Sequence, residues 1–517
     1  MKYFKIYFFA ASLFVIVFSS CKKDLIEANT NPTTIPGDQY DPNLLLTTVQ
    51  LNYTGSAEFQ GENWETEWGN VAGFIQHTAS TNTGFYPGDK YLKSGGTDYY
   101  FGQAYPAQVQ PVVELYQLTL NKPEYRNLHQ MARIMKAMVF ERITDLYGDV
   151  PYSQAGLGYY NRIYTPVYDK QEDIYTDLLK EVSEATDSLD ESADLPTGDV
   201  FYAVDPSTQI DKWKKFGYSL QLRMAMRLTK IDAATAQQYV TKVDGKTMLS
   251  NDDNAIVQHE DGSNLTINKD SWEINGQDSA DLKLCSTYIN FLKENDDPRL
   301  PVIAWIFATE DSDPADQLGL PPGYRNGGNV DSLNITKRPD FPKPLGLQGY
   351  SRLSEIILDP NAPNFIITYA ETEFLLADAK KRWGIGNQSA EMHYNNGVLA
   401  AITQLAAYGD AGAISDDDAQ AYLDAHPYND ADGLDQINTQ YWACTIMDEY
   451  EAWSNWRRTG YPTLTPTKYP GNATGGTIPR RLPYPSGEKF SNGVNYDAAV
   501  ARLKGGDKLT SRIWWDK

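Results

Sequence analysis

Apolar residues recur at helical spacing along most of this chain, and that recurrence limits what it can fold into. Trp64, Trp68, Val71 and Ile75 fall on one helical face. Met131, Ile134, Met135, Met138 and Val139 form a longer stripe that runs on to Leu146, where Gly148 and Pro151 stop it. The same spacing predicts helices over 173–189, 212–228, 365–383, 390–407 and 434–456. Core packing is the plain reading of each stripe. The helices come in pairs with short joints, so stacked helix hairpins are expected, without a clean fixed-period repeat. The fold class is therefore mainly α.

Three stretches break the helical texture. Residues 80–105, 230–365 and 460–495 are dense in Gly, Pro, Asn and Asp and poor in helical stripes. They read as long irregular insertions on a helical frame, and such loops commonly carry function. No linker divides the chain after residue 40, so 41–517 is expected to be a single domain. Tyr369–Ala377, with its aromatic and alanine residues at helical spacing, is loosely similar to tetratricopeptide helices.

The N-terminus reads as an address. Met1–Lys5 is cationic, Ile6–Phe18 is a run of 13 largely apolar residues, and Ser19-Ser20-Cys21 follows. The run is short of the ~20 residues that span a bilayer, so it reads as an export signal over 1–20. A cysteine directly behind small residues is similar to a bacterial lipoprotein signal, which implies lipid attachment at Cys21. Residues 21–40 are polar and aperiodic, and read as a flexible tether.

Charge and composition exclude several partners. The formal net charge is −23, which argues against nucleic acid, since phosphate binding needs a basic face. Of the three cysteines, Cys285 and Cys444 show neither a disulfide framework nor a metal-ligand pattern, and buried apolar roles are expected for both. Asp410, Asp416–Asp418 and the run from Asn429 to Asp435 offer oxygen ligands for calcium, but the last set does not complete an EF-hand loop. An exposed acidic surface is the simpler reading, and no metal or cofactor is expected. No Gly-x-Ser-x-Gly elbow, His-Glu-x-x-His helix or phosphate loop occurs, and the five histidines are scattered. With 68 acidic residues a glycosidase carboxylate pair can always be imagined, so their presence decides nothing.

Short motifs in a fixed order carry a family resemblance. They begin with Ile143-Thr144-Asp145-Leu146-Tyr147-Gly148-Asp149-Val150-Pro151-Tyr152, Thr165-Pro166-Val167-Tyr168-Asp169 and Lys212-Trp213-Lys214-Lys215-Phe216. Leu222-Arg223-Met224-Ala225-Met226-Arg227 and Asp297-Pro298-Arg299-Leu300-Pro301 follow. The most specific come late: Trp456-Arg457-Arg458-Thr459-Gly460, Pro479-Arg480-Arg481-Leu482-Pro483 and Arg512-Ile513-Trp514-Trp515-Asp516. Together they resemble the SusD/RagB-like nutrient-binding outer-membrane lipoproteins. The resemblance implies tetratricopeptide-like helix pairs as a scaffold, with the irregular insertions on the ligand-facing side. It implies a lipid-anchored protein on the outer membrane, facing the cell exterior, that passes a nutrient to a SusC-like, TonB-dependent β-barrel transporter. The nutrient would be an oligosaccharide or, in other members, a peptide. No covalent chemistry is implied; a surface glycoside hydrolase is the rival class.

Arg457, Arg458, Arg480 and Arg481 are read as buried structural pairs, with Glu371 and Glu373 as candidate partners. Sugar ligands need aromatic faces beside a few placed polar groups. Phe85–Tyr91 and Asp98–Phe101 supply the first candidates: Tyr86, Tyr91, Asp98, Tyr99 and Tyr100. Trp272 with Asn275, and Tyr324 with Arg325, supply the others.

Overall fold

A computed structural model describes residues 40–55, 62–263, 266–275 and 281–517. Cys21, the signal segment and the tether up to residue 39 lie outside the described residues. Asn43–Lys517 forms one compact unit.

Among the described residues the helices of at least eight residues are α1 Asn43–Tyr53, α2 Glu62–Val71, α3 Gly96–Ala104, α4 Gln110–Thr119, α5 Arg126–Tyr147, α6 Gln171–Ser188, α7 Gln209–Arg227 and α8 Ala233–Val243. They continue with α9 Ser286–Glu294, α10 Tyr369–Trp383, α11 Ala390–Thr403, α12 Asp416–Ala425, α13 Gly433–Cys444, α14 Glu449–Thr459 and α15 Gly493–Arg502. Strands are short: β1 Thr78–Ser80, β2 Val150–Pro151, β3 Tyr168–Asp169, β4 Ala255–Val257, β5 Leu282–Leu284, β6 Ala304–Ile306, β7 Ser351–Leu353 and β8 Asn364–Ile367. They pair antiparallel as β1–β5, β2–β3, β4–β8 and β6–β7. The fold is mainly α.

Successive helices pack side by side: α4 on α5, α5 on α6, α6 on α7, α7 on both α8 and α10, then α10 on α11 and α11 on α12. The predicted stripe of α5 is buried throughout. Its stop is as expected: Gly148, at φ +86°, turns the chain and donates its N–H to the Thr144 carbonyl at 2.7 Å.

Three boundaries differ from the periodicity. Phe365–Ile367 belong to β8, and α10 begins only after Thr368. The Thr368 side chain accepts the Glu371 N–H while Glu371 accepts the Thr368 N–H, a capping box written in the letters Thr-x-x-Glu. The span 434–456 is two helices, because Met447 sits at φ +85° and Asp448 caps α14 by accepting the Glu451 N–H at 3.2 Å. The 80–105 insertion contains α3, so Asp98, Tyr99 and Tyr100 lie on a helix rather than a loop.

The acidic runs considered for calcium serve locally. Asp416–Asp418 occupy the first turn of α12, capped by Ser415, where the helix dipole favours negative charge. Asp430 pairs with Lys381 at 2.6 Å. Cys285 and Cys444 are both free thiols, and burial pushes Cys285 up to about 12.

Arg457, Arg458 and Arg481 are buried and Arg480 half-buried, but their partners are not Glu371 and Glu373. The Arg457 guanidinium lies between the Trp453 and Trp515 rings, at 3.9 and 4.9 Å, and donates to the Asp145 carbonyl at 2.6 Å. Arg458 pairs with Asp378, Arg480 with Asp516 and Arg481 with Asp507. Glu373 instead faces His393 at 2.9 Å.

Glu371 joins a second buried network. Arg223 and Arg227, one turn apart on α7, reach Glu141 and Asp145 on α5 at 3.0 Å each, and Arg227 also pairs with Glu451 on α14. The Tyr441 hydroxyl donates to Glu451 at 2.6 Å and lies 3.2 Å from Glu371. Burial, reinforced by the Glu451 charge and only partly offset by Arg223, pushes Glu371 up to about 8. Burial, partly offset by Arg223 and Arg227, pushes Glu141 up to about 7. Between pH 6.5 and 8 the folded chain thus holds protons that the unfolded chain has released, so stability falls as pH rises. Glu371→Gln should flatten this slope by about 1 kcal/mol per pH unit in denaturant titrations, a full proton being worth ~1.4. An unchanged slope would contradict the protonated carboxyl.

Candidate ligand-binding face

The β1–β5 pair sets Ser80 opposite Leu282 and brings the 80–90 insertion against the segment entering β5. Asn82 builds the turn there. Its side-chain carbonyl accepts the N–H groups of Gly84 and Phe85 at 3.0 and 3.2 Å, and its amide donates to Asp281 at 2.7 Å. Phe85 is thereby held outward, 53% exposed, with its ring 5.5 Å from that of Trp64 on α2. Gly69 permits this approach, since a Cβ there would stand 2.9 Å from the Trp64 carbonyl oxygen and 3.1 Å from that of Phe85.

Trp272 stands on the short helical turn Ser271–Asn275 and is 44% exposed. The turn packs on α2. Its anchor is buried Asp270, which accepts the Trp68 indole N–H at 2.8 Å, the Asn63 amide at 3.0 Å and the Asn364 amide at 2.9 Å. Phe85 thus meets α2 through the Trp64 ring, and the turn that carries Trp272 is fixed to α2 by the buried Asp270 bonds.

Behind Asn275 lies a buried cationic cluster, with Arg352 and Lys283 only 4% and 2% exposed. The Asn275 side-chain carbonyl accepts from Arg352 at 3.1 Å, and Arg352 also donates to Glu355 at 2.8 Å. The β6–β7 pair sets Arg352 opposite half-buried Trp305. The Arg352 guanidinium and the Lys283 ammonium both lie over the Phe307 ring, at 4.7 and 5.1 Å. Burial and the neighbouring Arg352 charge push Lys283 down to about 8.

The other sequence candidates are placed differently. Tyr86, Tyr91 and Tyr100 are 2%, 0% and 1% exposed, so their rings are core and offer no face to a ligand. Tyr91 packs on Phe74 and fastens the 460–475 loop, its carbonyl accepting the Ala473 N–H at 2.8 Å. Tyr100 packs on Tyr450 and donates to Gln108. Asp98 and Tyr99 are half-buried in the first turn of α3, and burial raises the Asp98 carboxyl. The half-buried Tyr324 hydroxyl accepts from Arg338 at 2.9 Å, and the Arg325 guanidinium folds back over Gly328. Trp272 and Asn275 are the candidates that fall together on this face; Asn82 was not foreseen, nor was the buried pair Lys283 and Arg352 over Phe307 behind it. Only the Asn82-x-Gly84 turn carried a local signal in the letters.

Exposed rings beside amides, carried by inserts on a mainly α frame, form the candidate face. The chain belongs to the SusD-like family, described as starch-binding and associating with the outer membrane; the match covers residues 38–485. A solved chitin-binding protein is 33% identical, with a TM-score of 0.80, covering 92% of this chain and 100% of that one. A SusD-like protein of Bacteroidetes AC2a is 25% identical, with a TM-score of 0.77 and the same coverage. A chitin-binding SusD homologue from Flavobacterium johnsoniae shares the fold at 21% identity and a TM-score of 0.75, covering 92% of this chain and 99% of that one. Comparison with curated proteins returned no match. No helix among the described residues is long and apolar enough to cross a membrane.

Proposed function

We propose that this protein captures an oligosaccharide on the face carrying Phe85 and Trp272 and hands it, chemically unchanged, to a SusC-like TonB-dependent barrel in the outer membrane. Lipid at Cys21 would hold it there, facing outward, with residues 41–517 acting as one body on the 21–40 tether. The observation that carries the reading is the pair of outward rings fixed to α2, each beside an amide, at Asn82 and Asn275. Sugar C–H faces stack on such rings while amides bond the hydroxyls. Oligomers of β-linked N-acetylglucosamine are the preferred ligand class, supported by the 33% identical chitin-binding relative.

Isothermal titration against chito-oligosaccharides, malto-oligosaccharides and short peptides tests this. The expected order is chito-oligosaccharide first and peptide last, with no product formed. Hydrolysis of any glycan would overturn the binding role. Absence of a barrel on purification from native membranes would overturn the partnership, and absence of lipid mass on Cys21 the anchor.

A further inference from the structure

The adjacent residues Trp514 and Trp515 diverge in the folded chain. Trp515 is buried and donates its indole N–H to Asp145 at 2.8 Å. Trp514 stays half-buried and lines a cavity of about 530 Å3, within the ~300–1,000 Å3 of small-ligand sites. The cavity is cationic on a protein of net charge −23. Lys170, Arg502, Lys504, Arg512 and Lys517 line it, against Asp149, Glu172 and Asp516. Two of those carboxylates are already engaged: Asp149 accepts from Arg502 at 2.5 Å, and Asp516 pairs with Arg480 and with Arg512 at 2.7 Å. The exposed ammonium groups of Lys170, Lys504 and Lys517 have no partner among the described residues, and neither has the Trp514 indole N–H.

The walls are fixed from within. Buried Gln171 donates to the Thr144 carbonyl at 2.8 Å and accepts the Trp514 backbone N–H at 2.9 Å. Asp149 accepts the Gln171 backbone N–H at 2.9 Å, and Tyr175 packs 6.3 Å from the Trp514 ring. A flat ring with a free donor, unpaired ammonium groups and room for more than one carboxylate describe a particular kind of guest.

We propose that this cavity is a second binding site, separate from the Phe85–Trp272 face, and that it takes an anionic saccharide. Sugar rings stack on Trp514, and carboxylate or phosphate groups meet the three lysines. The same chemistry is found in a free acidic glycan and in the phosphorylated saccharide of an outer-membrane lipid.

The test titrates the full chain with trigalacturonate and with neutral galactotriose, following heat and tryptophan fluorescence, and repeats both with Lys170→Glu/Lys504→Glu, whose positions are exposed and unpaired. Trigalacturonate is expected to bind at least roughly tenfold tighter than the neutral trimer, to weaken at high salt, and to lose roughly tenfold on charge reversal. Chito-oligosaccharide binding should be unchanged in the same variant. A second arm sediments the protein with vesicles containing or lacking lipopolysaccharide. Variant-sensitive binding to the free trimer identifies a soluble acidic glycan as the source, and variant-sensitive binding to the vesicles alone identifies the membrane's own saccharide. The proposal is overturned if both arms are negative, if charge reversal changes neither, or if tri-glutamate peptide binds as tightly as trigalacturonate.

Discussion

Asp378→Ala is expected to lower the unfolding free energy by about 3–5 kcal/mol, the cost of removing one partner from a buried ion pair. Asp378 is fully buried on α10. It accepts from Arg458 at 3.1 Å, from Asn438 at 2.9 Å, and from Arg382. Burial opposes its charge, but Arg458 and Arg382 outweigh that and hold its carboxyl below the usual range. Removing the carboxylate leaves the Arg458 guanidinium, 1% exposed, with only the Asn455 and Asn438 carbonyls. Those two bonds satisfy donors without neutralising the charge. Replacing both partners, as Asp378→Leu with Arg458→Met, should recover most of the loss, because the costly species is the unpaired ion. Chemical denaturation reads both variants. A loss under about 1 kcal/mol for Asp378→Ala would mean that α10 and α14 are not joined through this pair.

Phe85→Ala and Trp272→Ala act on the other half of the protein. Each ring should contribute about 2 kcal/mol to oligosaccharide binding, as exposed aromatic anchors do, so each change should weaken affinity roughly thirtyfold. The double variant should approach a thousandfold if the two losses add. Folding should hardly change, since about half of each side chain is in solvent and their supports lie elsewhere, in Asn82 and Asp270. That separates these positions from Tyr86, Tyr91 and Tyr100, whose replacement should cost stability by opening cavities in the core.

This division of the aromatic residues shows how far the letters reach. Where the backbone is helical, period and burial coincide, and α5, α6 and α7 are legible from their stripes within a few residues. The breaks at Thr368 and Asp448 were also written, as caps followed three residues later by glutamate, but the apolar spacing ran across them. Between 80 and 105 much of the backbone has no period. Nothing local says that Phe85 points out while Tyr86, its neighbour, points in. The outward pose depends on Asn82 bonding Asp281, 199 residues away. Arg352 and Phe307 meet only because β6 pairs with β7, and Lys283 joins them from β5. Asp270 reads as one more acidic loop residue, yet its burial and three donors fix the turn that carries Trp272. The scaffold is thus encoded locally, and the face is encoded by long-range pairings of short strands.

The most direct test of the account is a crystal structure of the protein with a chito-oligosaccharide bound. The account predicts sugar rings stacked on Phe85 and Trp272, with hydroxyl or acetamido groups within hydrogen-bond reach of Asn82 or Asn275. Sugar bound elsewhere on the protein, with Phe85 and Trp272 left in solvent, would contradict it.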